Sequence, residues 1–194
     1  FLVSLLCVRA QLPVQLGGLA SNVVFVDGGN SFRLYRTAKL ARLHQLDPRK
    51  ALERIYISRA FTAYQIAALI TQHLKETTQK LDAKLVIISD IARMFLDKDM
   101  PEEEARIIYS QVTSYLADFA KENQLVLIVT CPPHLDLPRH GFLESAVCEN
   151  ANVVLSLRQI KHRREFVLEK HHRFALGSVE FPSEHLTLID FTAA

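Results

Sequence analysis

The chain has 194 residues, of which 49% are apolar, and a formal net charge of +2. This length is enough to build one sizeable hydrophobic core, so we expect a single domain over residues 1–194. The balance of charged and apolar residues argues against a disordered chain and against a protein that coats polyanions by charge alone. Three cysteines without metal-ligand spacing predict reduced thiols in a cytoplasmic protein.

The apolar run at the start of the chain predicts the first turns of a buried helix over residues 1–10. A signal peptide or membrane anchor is the alternative, but Arg9 interrupts the run after eight residues. No later stretch reaches the roughly 18 apolar residues that a membrane span needs. We therefore expect no membrane among the partners of this protein.

A short apolar strand over residues 23–26 comes next and ends in Asp27, the pattern of a strand buried on both faces. The two glycines that follow predict a turn. Ser31 is the expected N-cap of the next helix, which runs to about residue 44.

Strand and helix patterns continue to alternate along the middle of the chain. Asp47 and Thr62 are the expected N-caps of two helices, and a third helix begins near Pro101. Further buried strands are predicted over residues 55–57, 85–88 and 125–129. Short buried strands between helices predict an α/β fold, in which helices cover both faces of a mainly parallel sheet.

The C-terminal part of the chain changes to the alternating pattern of antiparallel strands. Such strands are predicted over residues 153–157, 165–169 and 186–189, and we expect them to extend the parallel sheet in antiparallel fashion. Before them, the segment 132–141 contains three prolines and a glycine, which predicts irregular structure.

Five segments carry a resemblance to a known family: Gln11-Leu12-Pro13, residues 24–33, residues 46–65, residues 85–90 and residues 126–130. In their order and spacing they resemble the ATPase core of the RecA/RadA recombinase family, over residues 1–181. The resemblance implies a RecA-like fold that binds ATP and Mg²⁺ between subunits, in a homo-oligomer or with related RecA-like subunits. It also implies a role in DNA recombination or repair.

The phosphate-binding loop of that family is the main missing feature. No G-x-x-x-x-G-K-[ST] pattern occurs in the 194 residues, and such a loop cradles phosphates with backbone N–H groups and a lysine. Alignment backward from Pro13 places Phe1 directly after the family's Gly-Lys-Thr, so we expect the sequence to begin just after the loop. The alternative is a protein without the loop, which favours a non-catalytic RecA-like scaffold or regulatory protein that acts through protein contacts.

Two further departures from the family bear on ATP hydrolysis. In the family, a Glu orients the attacking water, and it lies two residues after the Asp that ends the strand matched by residues 23–26. In this chain that Asp is Asp27, and Gly29 stands at the position of the Glu. After the fourth strand, Cys131 and two prolines replace the polar residue that senses the terminal phosphate. Because hydrolysis needs a positioned water, both departures predict an accessory paralogue that hydrolyses ATP slowly or not at all.

Three residues at strand ends are the candidates for nucleotide and metal binding. Asp90, preceded by Ser89, closes the third strand, where α/β proteins bind ligands, and it is the expected Walker B carboxylate that holds Mg²⁺ through water. Its alternative role is to cap the following helix. Asp27 is expected either in the same Mg²⁺ or water network or as a turn residue. Arg59 is a candidate for a subunit interface or a phosphate, or else an exposed arginine without a fixed role.

The candidates for DNA binding lie in two basic segments. Lys161, Arg163 and Arg164 lie at the predicted turn between the antiparallel strands, where they can contact phosphates and make affinity salt-dependent. A solvated hairpin tip whose charges block aggregation is the alternative. Arg139 and His140 occupy the place of the family's second DNA-binding loop. No metal other than Mg²⁺ at Asp90 is expected, because the histidines and cysteines lack zinc-type spacing.

Overall fold

The structure is a computed structural model that describes residues 1–131, 138–160 and 163–181. The chain forms two compact units, Phe1–Val147 and Cys148–Ala194. The prediction of a single domain over residues 1–194 stays a prediction, as does the cytoplasmic location. Within the described ranges, no helix has the length and apolar character needed to cross a membrane.

Helices and strands alternate from the start of the chain to the fourth strand, as predicted. The helices are α1 (Leu2–Arg9), α2 (Leu34–Leu43), α3 (Pro48–Glu53), α4 (Ala63–Ala68), α5 (Leu74–Lys80), α6 (Glu102–Glu122) and α7 (Pro138–Asn150). The strands are β1 (Asn22–Asp27), β2 (Ile55–Arg59), β3 (Ala83–Ser89), β4 (Val126–Val129), β5 (Val154–Ile160), β6 (Arg163–Lys170) and β7 (Gly177–Phe181). A π-helical segment, Leu69–His73, joins α4 to α5.

The first four strands form one parallel sheet in the order β2-β1-β3-β4. In the register of that sheet, Asp27 at the end of β1 lies opposite Arg59 of β2 and opposite Ser89 of β3. Because the four strands run in the same direction, their carboxyl ends meet at one edge of the sheet. The turns that follow the strands gather at that edge.

Successive residues of β1 and β3 point to opposite faces of the sheet, and each face packs against its own helices. The even-numbered apolar residues, such as Val24 and Val86, join the core formed with α4, α5 and α6. The odd-numbered ones, such as Phe25 and Ile87, join the core formed with α1. Each fully buried side chain of this size contributes about 1.5–3 kcal/mol to folding. Helices thus cover both faces of a parallel sheet, which confirms the predicted α/β RecA-like core.

Two of the three predicted helix caps are confirmed. Asp47 caps α3 and Thr62 caps α4, each by accepting the backbone N–H of the residue three positions later. The prediction that Ser31 caps the next helix is wrong, because α2 begins only at Leu34 and Ser31 lies in the loop before it. Its backbone N–H and its hydroxyl both donate to the carboxylate of Asp27 instead. Hydrogen bonds to a carboxylate are strong, so Asp27 holds the serine in the loop, away from the backbone N–H groups at the start of α2.

Two expectations about the chain after α6 are wrong. The strand predicted to be buried, β4, lies at the edge of the sheet, and its side chains are half-buried or exposed. The segment predicted to be irregular contains the first turn of α7, which begins at Pro138 and includes Gly141. Proline suits the first helical position because its missing N–H would have no partner there.

The C-terminal strands form a second sheet, in which β5, β6 and β7 pair in antiparallel order. This confirms the predicted antiparallel strands, but the expectation that they extend the parallel sheet is wrong. Leu157 lies opposite Phe166 on one face, and Arg158 lies opposite Glu165 on the other. Such alternation is typical of a separate two-faced sheet, unlike the continuous apolar runs of β1 and β3. The strand predicted over residues 186–189 lies outside the described residues.

Candidate functional site

A polar cluster lies where β1, β3 and β4 end. Thr130 follows β4 and ties it to the end of β3, because it donates its N–H to the carbonyl of Ile88 at 2.9 Å. The carbonyl of Thr130 accepts the N–H of Ile91 at 3.1 Å. Its hydroxyl oxygen accepts the N–H of Asp90 at 2.9 Å. The hydrogen bonds between the strands therefore continue past the strand ends and hold the backbone of Asp90 at this edge.

Asp27 is fully buried, and both of its carboxylate oxygens accept hydrogen bonds from the loop after β1. Its Oδ1 accepts the N–H of Ser31 at 2.8 Å and the hydroxyl of Ser31 at 3.3 Å, and its Oδ2 accepts the N–H of Phe32 at 3.2 Å. The Nη2 of Arg59 lies 3.6 Å from Oδ2. Hydrogen bonds and an opposite charge compensate the burial of this carboxylate. Asp27 thus shapes the loop over residues 28–33 from within.

Ser89 connects that loop to β3. Its hydroxyl forms a short hydrogen bond with the hydroxyl of Ser31, and its carbonyl accepts the N–H of Gly28 at 3.0 Å. Since the hydroxyl of Ser31 already donates to Asp27, the hydroxyl of Ser89 is the donor to Ser31. The two serines and Asp27 form one hydrogen-bonded chain across β1 and β3.

Asp90 differs from Asp27 in having an oxygen that nothing in the described part of the chain satisfies. Its Oδ2 lies 3.8 Å from the Nη1 of Arg93, whereas its Oδ1 is buried and has no hydrogen-bond partner within residues 1–131, 138–160 and 163–181. The backbone of Asp90 is left-handed, with φ of 55°, a conformation that Asp and Asn adopt more readily than most residues. A buried polar atom without a partner costs about 1–3 kcal/mol.

The environment of Asp90 disfavours its charge. Burial raises the pKa of the Asp90 carboxyl above its ordinary value, and the nearby carboxylate of Asp27 raises it further. The guanidinium of Arg93 acts in the opposite direction and is the weaker influence compared with burial. A cation placed at Oδ1 would favour the ionised form of this carboxyl.

Gly29 is the residue that leaves room for Asp90. A Cβ built at position 29 would lie 2.6 Å from the Oδ2 of Asp90 and 2.7 Å from its Cβ. Contacts this short require one of the two residues to move. Gly29, which departs from the family pattern, is therefore coupled to Asp90 at the end of β3. The side chain of Asp90 fills the space that a side chain at position 29 would enter.

These oxygen atoms fit a hydrated Mg²⁺ ion. Mg²⁺ prefers oxygen ligands and keeps several of its waters, so one or two protein carboxylates suffice. A metal-bound water would donate the hydrogen bond that Asp90 Oδ1 lacks. Asp27 has both oxygens engaged by the loop, so it would add negative charge and hold Ser31 and Ser89 in place.

The structure brings together four of the residues predicted from the sequence and leaves the others elsewhere. Asp27, Ser89, Asp90 and Arg59 all lie at the carboxyl edge of the parallel sheet, in one unit. The basic candidates for DNA binding are distributed as follows: Arg139 and His140 in the first turn of α7, Arg163 and Arg164 at the start of β6, and Lys161 outside the described residues. Their joint contact with DNA stays a prediction.

Sequence reasoning missed two members of the cluster, Thr130 and Arg93. A signal for Thr130 was available, because a polar residue directly follows the apolar run of β4 as Asp27 follows the run of β1. Arg93 had no such signal. It lies in a short 3₁₀ turn after β3 and reaches back to the carbonyl of Gly29 at 3.5 Å.

Comparison with known proteins identifies the family. The family model for Rad51 matches residues 2–133, more than half of the chain, and this range contains the whole polar cluster. The chain is also 32% identical, over 91 residues, to the DNA repair and recombination protein RadA of Cenarchaeum symbiosum (strain A). That match covers 46% of this chain and 22% of the length of RadA. With the fold and the family match in agreement, the chain belongs to the Rad51 family of RecA-like recombinases.

Proposed function

We propose that this protein binds ATP with Mg²⁺ and acts in DNA recombination or repair, as an accessory paralogue with slow or no ATP hydrolysis. The observation that carries the proposal is the buried Oδ1 of Asp90, at the carboxyl edge of a Rad51-family sheet, which has no hydrogen-bond partner among the residues that the structure describes. The name of the RadA relative supports the role in recombination or repair. Binding of ATP between subunits, in a homo-oligomer or with related RecA-like subunits, is part of the proposal.

Each residue of the cluster has a distinct part in nucleotide binding. Asp90 would hold the metal ion through a water at Oδ1, and Thr130 and Arg93 keep its backbone and its other oxygen in place. Asp27, Ser31 and Ser89 keep the loop after β1 in position. Bound Mg²⁺ neutralises charge on the phosphates.

Slow or absent hydrolysis is supported by the contact between Gly29 and Asp90. Position 29 has no side chain that could orient an attacking water, and the carboxylate of Asp90 takes up the adjacent space. Arg93 contacts both that carboxylate and the carbonyl of Gly29, so it holds the side chain of Asp90 against Gly29. A carboxylate committed to the metal ion is a poor general base for the same reaction.

Calorimetric titration of the intact protein with ATP, with Mg²⁺ and with EDTA in its place, tests the proposal. We expect Mg²⁺ to strengthen ATP binding, and Asp90→Asn to remove most of that gain, about tenfold or more in Kd, which corresponds to one charge-assisted hydrogen bond. Asp99→Asn is the matched control, because it removes the same charge from an exposed position of the same region. An unchanged Kd for Asp90→Asn removes Asp90 from the site, and no ATP binding by the wild type overturns the proposal.

A second candidate function is a non-catalytic RecA-like scaffold or regulatory protein. Large aromatic side chains that are exposed after β1 and β2, namely Tyr35 at 89%, Phe61 at 73% and Tyr64 at 52%, favour contacts with another protein. This function requires neither ATP nor DNA. The absence of both affinities in the intact protein would favour it over the first proposal.

A further inference from the structure

Three arginines from different segments contact either the loop over residues 28–33 or Asp27, the residue directly before it. Arg33 belongs to the loop itself, Arg59 ends β2, and Arg93 lies in the turn after β3. We call these three residues the arginine collar. Its members are far apart in the sequence, and the parallel sheet brings them to one edge.

Each member of the collar is held by an oxygen of the loop or of an acid beside it. The Nη1 of Arg33 donates to the carbonyl of Asn30 at 2.8 Å. The Nη2 of Arg59 lies 3.6 Å from Asp27, which in turn holds the loop. The Nη1 of Arg93 donates to the carbonyl of Gly29 at 3.5 Å. The three guanidinium groups therefore contact the end of β1 and the first residues of the loop, and Arg93 also lies 3.8 Å from the Oδ2 of Asp90.

The anchoring contacts occupy only one terminal nitrogen of each guanidinium. Within the described residues, the remaining nitrogens of Arg33, Arg59 and Arg93 have no protein partner. The side chains of Arg59 and Arg93 are 44% and 64% exposed, and Arg33 is exposed as well. Each member is thus oriented by one nitrogen and offers further N–H donors to solvent.

We infer that the arginine collar binds the phosphate chain of a nucleoside triphosphate. A guanidinium presents a planar fork of donors that matches two phosphate oxygens at once, and anchoring reduces the conformational entropy lost on binding. The three positive charges of the arginines exceed the two negative charges of Asp27 and Asp90, so the edge can accept a polyanion, and Asp90 would face a bound metal ion. This inference rests on the proposed nucleotide site and identifies the side chains that would hold the phosphates there.

A purely structural role for the three arginines is the competing explanation. Arg49 provides a control for it, because its Nε lies 3.6 Å from Glu53 and its side chain is 91% exposed. This distance equals that of the pair between Arg59 and Asp27, but Arg49 lies on α3 and pairs with an acid of its own helix. A structural or general electrostatic effect would be similar at Arg49 and at the collar.

The test measures binding of inorganic tripolyphosphate and, separately, of ATP to the intact protein, with thermal unfolding as a check of folding. We expect Arg33→Ala and Arg93→Ala each to weaken both affinities about tenfold, the value of one charge-assisted hydrogen bond. Arg59→Lys, which keeps the charge beside buried Asp27, should weaken them several-fold because the fork is lost. Arg49→Ala should change neither affinity.

The outcomes separate the collar from the function on which it rests. The inference is overturned, and the proposed function stays intact, if the protein binds ATP but not tripolyphosphate. The same holds if Arg49→Ala weakens the two affinities as much as the collar variants do. Tripolyphosphate binding that depends on the collar, without ATP binding, supports the collar and overturns the proposed function. Displacement of tripolyphosphate by a DNA oligonucleotide but not by ATP assigns the collar to nucleic acid and overturns the inference.

Discussion

Two aspartates at neighbouring strand ends differ in what surrounds them. The sequence places both Asp27 and Asp90 after apolar runs, which correctly predicts that they meet at one edge of a parallel sheet. It does not indicate that both oxygens of Asp27 bind the loop, or that one oxygen of Asp90 has no partner in the described part of the chain. That difference depends on the path of the loop over residues 28–33, which no periodic pattern encodes.

The coupling of Gly29 to Asp90 predicts a non-additive pair of substitutions. Gly29→Ala should lower the free energy of unfolding by about 1–3 kcal/mol, because the new methyl group meets the Cβ and Oδ2 of Asp90. In an Asp90→Gly background the same change should cost less than about 0.5 kcal/mol. Urea denaturation of the four proteins measures both values. Equal costs in the two backgrounds would show that the contact does not exist.

The raised pKa of Asp90 predicts how stability depends on pH. The folded protein binds the proton of Asp90 more tightly than the unfolded chain does, because burial disfavours the anion. Stability from this group is fully present below the ordinary carboxyl pKa of about 4 and is lost as pH rises through the raised value. Asp90→Asn should therefore stabilise the protein at pH 7 and leave it little changed in acid. Urea midpoints that differ from wild type equally at both pH values would contradict this.

Local elements were predictable where the signal lies within a few residues. The caps Asp47 and Thr62 follow from side chains that reach the next turn of the same segment. Ser31 has the same local pattern, but its N–H and its hydroxyl donate to Asp27, four residues earlier. The edge position of β4 and the separate second sheet depend on which strands become neighbours, and a strand pattern does not specify its neighbours.

The basic hairpin of β5 and β6 provides a test at the scale of an element. Alanine at Lys161, Arg163 and Arg164 should weaken DNA binding, and the slope of log affinity against log salt should fall by roughly 1 for each lost phosphate contact. Charge on the strands themselves is partly neutralised, since Arg158 pairs with Glu169.

The control for the hairpin removes three exposed cations from the other unit, Arg42, Arg49 and Lys80. Both triple variants lose the same charge, so a change confined to the hairpin variant identifies a local contact. An equal loss of DNA affinity in the two variants would show that the hairpin contributes only through the net charge of the protein. Wild-type protein without DNA affinity at low salt would remove the recombination role.

At the scale of the whole molecule, the family match lies within the compact unit that contains the parallel sheet. The Rad51 match ends at residue 133, so it contains the polar cluster and the arginine collar but not the basic hairpin. The sequence indicated the parallel sheet correctly because alternating buried strands and helices allow few other arrangements. It did not indicate two compact units, because contacts between distant segments leave no periodic trace. For the intact protein, we propose that this edge of the parallel sheet binds the nucleotide.

Cleavage of the intact protein by Fe²⁺ that is bound with ATP in place of Mg²⁺ tests nucleotide binding at this edge. In the presence of ascorbate and peroxide, radicals formed at the metal ion cut the nearest backbone, and mass spectrometry locates the cuts. We predict ATP-dependent cuts within residues 27–31 and 89–93, which excess Mg²⁺ and Asp90→Asn both suppress, whereas Asp99→Asn retains them. Cuts only elsewhere in the chain, or a cutting pattern that is the same with and without ATP, would contradict a nucleotide-linked metal site at Asp90.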